Sequence, residues 1–353
     1  MNDDWYMQHA LDLAAAMEGQ TSPNPMVGAV IVKNGRIVGT GAHMGAGEAH
    51  AEVHALKMAE GRTGGATMYV TLEPCNHHGR TPPCSEKIIE AGIARVVVAA
   101  KDVNPEVAGS GIEALRNAGV ETEVGVLEEK AEKLNAAFFH YVQTGKPYVT
   151  VKTASTLNGA MTSPKGVSPW ITGKAALAEV HQLRHIHDVI LVGVETALND
   201  NPALTTRLEI EGRNPIRVVL DRHLRTPLAA QLVTDGKAPT WIFTEESRES
   251  NHASALEQKG ARVISMSTIT AKSVLEELGR ADIQTVLVEG GQTIISAFIA
   301  ENQVQRYISY VAPKLFSADA ANTELEVEHT QMVGGDIKIT ATTKKGDASC
   351  SQG

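Results

Sequence analysis

The chain has 353 residues, of which 42% are hydrophobic and 21% charged, and a formal net charge of −9. That length exceeds one ordinary core, since cores split beyond roughly 250 to 300 residues, and the composition excludes disordered, collagen-like and coiled-coil classes. The negative balance argues against nucleic acid or an anionic membrane as partner, yet leaves room for a local basic pocket around one small phosphate.

In chain order, residues 3 to 18 place Trp5, Met7, Ala10, Leu11, Leu13, Ala14 and Met17 at helical spacing. Val27 to Val32 and Arg36 to Gly39 read as a hairpin, because Asn34-Gly35 supplies the positive φ of a tight turn. A helix is expected from about His50 to Glu60. Strands and helices then alternate over Ala66–Leu72, Cys84–Ala91, Arg95–Ala100, Gly111–Asn117, Glu121–Val126 and Glu128–Tyr141, which implies a three-layer α/β domain with some parallel pairing. Thr144-Gly145-Lys146-Pro147 punctuates the pattern, so one domain is expected over 1–145 and a second over 146–345, with 346–353 a fraying tail. The second repeats the α/β grammar with strands at Tyr148–Lys152, Val189–Val194, Ile216–Leu220, Thr240–Phe243, Val263–Ser265, Thr285–Val288 and Tyr307–Val311. No apolar run approaches the ~20 residues that span a bilayer, and the acidic start is unlike a signal peptide; a cytoplasmic location is expected.

Three cysteines cannot make a disulfide framework, and Cys350 in the polar tail receives no role. Cys75 and Cys84 lie close enough to be a ligand pair. His50 precedes Cys75 by 25 residues, and one imidazole with two thiolates gives a tetrahedral Zn²⁺ three protein ligands and an open corner, the arrangement of a catalytic site. Glu52, two residues after His50, is placed to carry a proton from activated water to a leaving amine, which defines hydrolytic deamination. Pro82-Pro83 sets Cys84 at a helix start, where the dipole favours a thiolate. The zinc-deaminase signature is H-x-E followed by P-C-x-x-C; here eight residues, Asn76 to Pro83, separate the thiols and enlarge the pocket with donors. His50 and His54 are four apart, but a zincin needs Glu where Ala51 stands, which argues against a peptidase. Gly109-Ser110-Gly111-Ile112-Glu113-Ala114 imitates a dinucleotide fingerprint but lies too far past its strand.

His50-Ala51-Glu52, the run Thr71 to Cys84 and Asn104 to Gly109 resemble the deaminase half of the bifunctional riboflavin-biosynthesis deaminase-reductases. Lys152, Leu157-Asn158-Gly159, Trp170-Ile171-Thr172, Ile190 to Gly193, Asp200 to Thr205, Glu289-Gly290-Gly291 and Ala312 to Leu315 resemble the reductase half, in order. The resemblance implies a cytidine-deaminase-like domain followed by a dihydrofolate-reductase-like α/β domain. It implies deamination of a phosphoribosylamino-diaminopyrimidine, then NADPH-dependent reduction of the ribosyl to a ribityl chain.

By the same resemblance, Ser168, Arg184, Leu204, Arg207 and Glu289 contact substrate, and Ala154, Trp170, Thr172, Thr196, Asp200, Gly290, Gly291, Gln292 and Thr293 contact the cofactor. Asn24, His43 and Arg80 are expected at the pyrimidine or phosphate of the deaminase pocket. Residues alone leave Arg184 open to a solvated helix face and Trp170 to a core aromatic. Glu289-Gly290-Gly291 follows an apolar strand and precedes a helix at Thr293–Ala300, a place where phosphate can approach a helix N-terminus. The family usually has Ser-Leu-Asp-Gly followed by a basic residue; Thr156-Leu157-Asn158-Gly159-Ala160 here lacks both charges, as a swapped local pair would. The expected partner is a phosphorylated pyrimidine, and a homo-oligomer is compatible with the sequence.

Overall fold

The structure, a computed structural model, describes residues 2–76, 82–104, 109–164, 170–209, 212–247, 249–317, 322–333 and 336–343. Arg80, Ser168 and the tail at 346–353 lie outside the described residues. The described chain divides into two compact units. One takes in the residues up to Tyr148 with Ile186–Val189 and Met266–Val286; the other takes in the rest.

The N-terminal part runs α1 (Asp3–Ala15), β1 (Gly28–Lys33), β2 (Arg36–Ala42), α2 (Ala51–Ala59), β3 (Thr67–Leu72), α3 (Cys84–Glu90), β4 (Arg95–Ala100), α4 (Ser110–Asn117), β5 (Glu121–Val124), α5 (Glu128–Leu134) and α6 (Ala136–Thr144). Its sheet has the order β2-β1-β3-β4-β5, antiparallel through β2, β1 and β3 and parallel from β3 to β5. Alternation dictates three layers. Ile31, Met68, Val70, Val96 and Val98 face a core shared with Ala51, Ala55 and Ile88, while Val30, Val32, Tyr69, Val97 and Ala99 face Met7, Ala10, Leu11 and Phe139. The β1–β2 turn is the expected one, with Asn34 and Gly35 at φ of 52° and 71°. The single helix expected over Glu128–Tyr141 is instead two: it breaks at Asn135, whose side chain accepts from Met26 N and donates to Met26 O, at 2.8 and 2.9 Å.

The C-terminal part runs β6 (Tyr148–Thr156), α7 (Lys174–Ile186), β7 (Val189–Gly193), α8 (Val194–Asp200), β8 (Ile216–Leu220), α9 (Gln231–Thr234), β9 (Thr240–Thr244), α10 (Asn251–Gln258), β10 (Ala261–Ser265), α11 (Ala271–Arg280), β11 (Thr285–Val288), α12 (Gln292–Ala300) and β12 (Arg306–Ala312), then β13 (Lys314–Phe316), β14 (Asn322–Val333) and β15 (Asp336–Thr343). Its main sheet has the order β10-β9-β8-β7-β11-β6-β12, and the register of β10–β9, β9–β8 and β6–β12 is parallel. Ile190, Val192, Val219, Ile242 and Val263 bury against Leu224, Leu232 and Leu256. Strands β13 to β15, which the sequence reading did not resolve, form a separate three-stranded antiparallel sheet. The strand order reverses around β7, β11 and β6, and in open parallel sheets ligands bind beyond the carboxyl ends of strands at such a switch. No helix among the described residues is long and apolar enough to cross a membrane.

Candidate active sites

In the N-terminal part, the helix α2 is pressed onto β2 because Gly39 and Gly41 have no side chain. A Cβ on Gly41 would stand 2.3 Å from the Ala51 carbonyl oxygen. This approach carries the start of α2 to the carboxyl end of β3. His50 is the N-cap residue but makes no side-chain cap, so its ring is free to turn toward Cys75, just after β3, and Cys84, first residue of α3. The His50 Nδ1 lies 3.5 Å from Cys75 Sγ and 3.3 Å from Cys84 Sγ. All three ligand atoms fall within 4.8 Å of one another. A tetrahedral zinc with bonds of ~2.3 Å to sulfur and ~2.0 Å to nitrogen separates those atom types by about 3.5 Å, so the set fits the ion.

Charge at this cluster is unevenly held. The thiol of Cys84 hydrogen-bonds Cys75 and, against the cost of burial and with His50 assisting, brings Cys75 down to about 4. The same bond, burial and the charge of Glu52 push Cys84 far up. The hydrogen bond to Cys75 raises His50. Glu52 is buried, and desolvation pushes its carboxyl up despite nearby His50, as suits a group that must both take and give a proton. His43 is buried beside His50, its ring edge-on at 5.5 Å between centroids. Its Nδ1 donates to Ala49 O at 3.2 Å, which leaves Nε2 to accept from Asn24 Nδ2 at 2.9 Å. Desolvation keeps that ring below its ordinary pKa. Asn24, His43, His50, Glu52, Cys75 and Cys84 therefore lie together.

In the C-terminal part, the centre is an ion pair. Glu289, directly after β11, receives Arg184 of α7 in a two-pronged pair, Nε to Oε1 at 2.8 Å and Nη2 to Oε2 at 3.0 Å. Lys152 of β6 lies 3.6 Å from Oε2, and the Glu289 side chain is 8% exposed. Burial alone would raise that carboxyl, but the Arg184 bonds and the charges of Arg184 and Lys152 outweigh it and hold it below the usual range. Arg184 also donates to Thr205 O at 3.2 Å. It is a half-buried clamp rather than a solvated face. Arg207 is exposed, with its N and Nε 3.2 and 3.3 Å from His181 Nδ1 and Nε2, of which the neutral ring accepts at one; the pKa of His181 is lowered first by burial and then by Arg184 and Arg207.

Gly290 and Gly291 lead into α12, whose N-terminus has no side-chain cap; Gln292 and Thr293 are exposed and a Cβ on Gly291 would meet open space. Those features fit a phosphate-bearing cofactor. Thr196 and Asp200 lie on α8 after β7, and Ala154 lies on β6. Thr172 lines a cleft of about 510 Å³ with Ile171, Gly173 and the end of β12. Trp170 is 57% exposed, so it is not a core aromatic. Leu204 is the outlier: it is 4% exposed and packs in the core at φ 50°.

Two family models match the chain, the cytidine and deoxycytidylate deaminase zinc-binding region over residues 1–100 and the RibD C-terminal domain over 147–342. A curated relative, the riboflavin biosynthesis protein RibD of Bacillus amyloliquefaciens, is 44% identical over 98% of this chain and 97% of its own. The chain belongs to the RibD family. RibD of Acinetobacter baumannii superposes with a TM-score of 0.81 at 37% identity, covering 97% of this chain and 99% of that one. A Thermotoga maritima structure, described as a diaminohydroxyphosphoribosylaminopyrimidine deaminase/5-amino-6-(5-phosphoribosylamino)uracil reductase, gives the same score and identity over 97% and 98%.

The departure of this chain from the usual RibD pattern near β6 has a structural reason. Asn158 donates through Nδ2 to Phe316 O at 2.7 Å and accepts from Phe316 N at 3.2 Å, a pairing that needs one donor and one acceptor and that a carboxylate cannot make. Ala160 packs on Ile171, Ala312 and Phe316. Both lost charges are thus replaced by contacts of their own. Lys152 was legible only as part of a motif; a lysine next to the buried Val149, Thr150 and Val151 was the signal for a buried partner.

Proposed function

We propose that this chain carries out two successive steps of riboflavin biosynthesis, hydrolytic deamination of 2,5-diamino-6-(5-phosphoribosylamino)pyrimidin-4-one and then NADPH-dependent reduction of its ribosyl side chain. It is a bifunctional enzyme with Zn²⁺ and NADPH as cofactors. The observation that carries the first activity is the convergence of His50, Cys75 and Cys84 with the buried Glu52. His50, Cys75 and Cys84 would hold the zinc. When bound, it supplies the Lewis acidity that makes water nucleophilic near neutral pH. Glu52 then takes the proton from the water and delivers it to the departing amine, a role its raised pKa supports. Asn24 and His43 form a fixed donor–acceptor pair beside His50 that orients the pyrimidine.

For the second activity, NADPH supplies the hydride. The uncapped start of α12, from Gly290 to Thr293, receives its phosphates, and Ala154, Trp170, Thr172, Thr196 and Asp200 surround the rest. Glu289, charge-balanced by Arg184 and Lys152, fixes substrate hydroxyls, and Arg207 is the exposed cation for the phosphate monoester. Hydride transfer needs placement more than an acid. We place the chain in the cytoplasm, where thiolates stay reduced. Exposed Val327, Met332 and Ile337 on β14 and β15 support assembly with further copies of itself.

A coupled assay with metal analysis tests the reading. Wild-type protein is expected to bind about one zinc per chain, release ammonia from the diaminopyrimidine phosphate and then oxidise NADPH. Cys75→Ser should lose zinc and ammonia release while still oxidising NADPH with deaminated product supplied. Full ammonia release without zinc would overturn the assignment.

A further inference from the structure

Glu73 stands two residues before Cys75, is 4% exposed, and has no part in the chemistry described so far. Its surroundings are unusual for a carboxylate. Oε2 accepts from the backbone N–H groups of Asp102 and Gly109 at 3.3 and 3.0 Å, and Oε1 accepts from those of Gly111 and Ile112 at 3.0 and 3.3 Å. Four donors from the segment between β4 and the first turn of α4 thus converge on two oxygens. Only a carboxylate can meet them, because the amide of Gln would turn its own N–H₂ toward two of these donors. The positive end of α4 favours the same charge.

The clamp bears directly on the metal-ligand loop. Glu73 N donates to Ala100 O at 3.0 Å, extending the pairing of β3 with β4 by one residue. A Cβ on Gly111 would stand 1.9 Å from the Pro74 carbonyl oxygen, so α4 rests on the peptide that joins Glu73 to Cys75. That contact explains the glycine which gave the false dinucleotide pattern. Beyond Pro74, Cys75 O accepts from Ser85 N at 3.2 Å and Cys75 Sγ from Cys84 N at 3.4 Å. The position of one thiol is therefore passed to the other.

We propose that Glu73 is a positioning residue for the zinc site: its carboxylate locks the Pro74-Cys75 peptide to the start of α4 and so fixes the separation of the two thiolates from His50. The proposal rests on the ligand assignment above. Supporting groups around a metal's own ligands, when mutated, cost roughly 10- to 100-fold in metal affinity or activity.

The test uses full-length protein with Glu73→Gln and Glu73→Asp. Zinc transfer to a chelator, the thiolate-to-metal charge-transfer bands of the cobalt(II)-substituted protein, and thermal melting are measured beside deaminase kcat and KM. Glu73→Gln is expected to release zinc about 10- to 100-fold faster, to shift the cobalt bands and to lower kcat by a similar factor with KM within about twofold. Glu73→Asp, which keeps the charge, should fall between it and wild type. NADPH oxidation with deaminated product supplied should be unchanged in both. Wild-type zinc release and cobalt bands in Glu73→Gln, or a Glu73→Asp no better than Gln, would overturn the proposal. If Glu73→Gln yields no folded protein, Glu73→Asp decides alone, and release indistinguishable from wild type overturns it. Wild-type protein that takes up no zinc overturns the ligand assignment instead, so the two failures are distinct.

Discussion

Two buried glutamates, one in each part of the chain, are driven in opposite directions. Among the described residues no guanidinium or ammonium pairs with Glu52, and desolvation raises its pKa. Glu289 is nearly as enclosed, its side chain 8% exposed, yet Arg184 and Lys152 hold it low. The same side chain is therefore tuned toward proton exchange in one place and toward a fixed charge in the other. Burial supplies the reactivity, and the cations decide whether it is kept or suppressed. The two centres also differ in how they are built. The first takes three ligands and a carboxylate from two short stretches of chain, and the second takes its charges from β6, α7 and the end of β11, far apart in sequence.

The sharpest way to break the comparison is Glu52→Gln, which keeps shape and removes the proton carrier. Deaminase kcat should fall by about 10²- to 10⁴-fold, the usual worth of a positioned acid–base group, with zinc content unchanged. NADPH oxidation on supplied product should match wild type. An undiminished ammonia rate with zinc bound would leave Glu52 without its role.

Glu289→Gln attacks the other side of the contrast. It leaves Arg184 and Lys152 facing a neutral amide, and breaking a buried pair on one side costs about 3 to 5 kcal/mol. The urea midpoint should drop accordingly, and substrate KM for the reduction should rise. The pH dependence carries the sign. Because the folded pKa of Glu289 is lowered, its stabilisation is complete above the ordinary carboxylate value of ~4.3 and is lost as pH falls through the lower folded value. The stability difference between wild type and Glu289→Gln should therefore be largest at neutral pH and shrink below about pH 4. A difference independent of pH from 7 to 3 would show that the pair does not act through charge.

Legibility in the sequence followed the same division. The grouping of His50, Glu52, Cys75 and Cys84 could be read from residue type and spacing because tetrahedral coordination and proton transfer would demand those groups, and local elements bring them together. The hairpin at Asn34-Gly35 was equally plain, since its φ values are chemically specific. The break at Asn135 was not, because it depends on a peptide 109 residues away. The Arg184–Glu289 clamp was hidden for the same reason: helical periodicity shows which residues share a face, and only the sheet order shows what that face meets. Leu204, carried over by resemblance as a substrate contact, lies in the core, where resemblance gives no sign of burial.

The swapped pair near β6 gives the smallest expected effect and the finest test. The apparent loss of an acid and a base becomes, in the structure, an amide matched to both polar groups of Phe316 and a methyl group set among Ile171, Ala312 and Phe316. Asn158→Asp restores the residue usual in RibD proteins but sets a carboxylate oxygen against the Phe316 carbonyl, where Nδ2 now donates. Leaving that acceptor unmet costs about 1 to 3 kcal/mol, so the melting temperature should fall although the change looks ancestral. The Glu289 clamp does not touch Asn158, so substrate KM should move little. A variant as stable as wild type would mean that Phe316 turns to water without cost and that the amide is not what holds β13 against the end of β6.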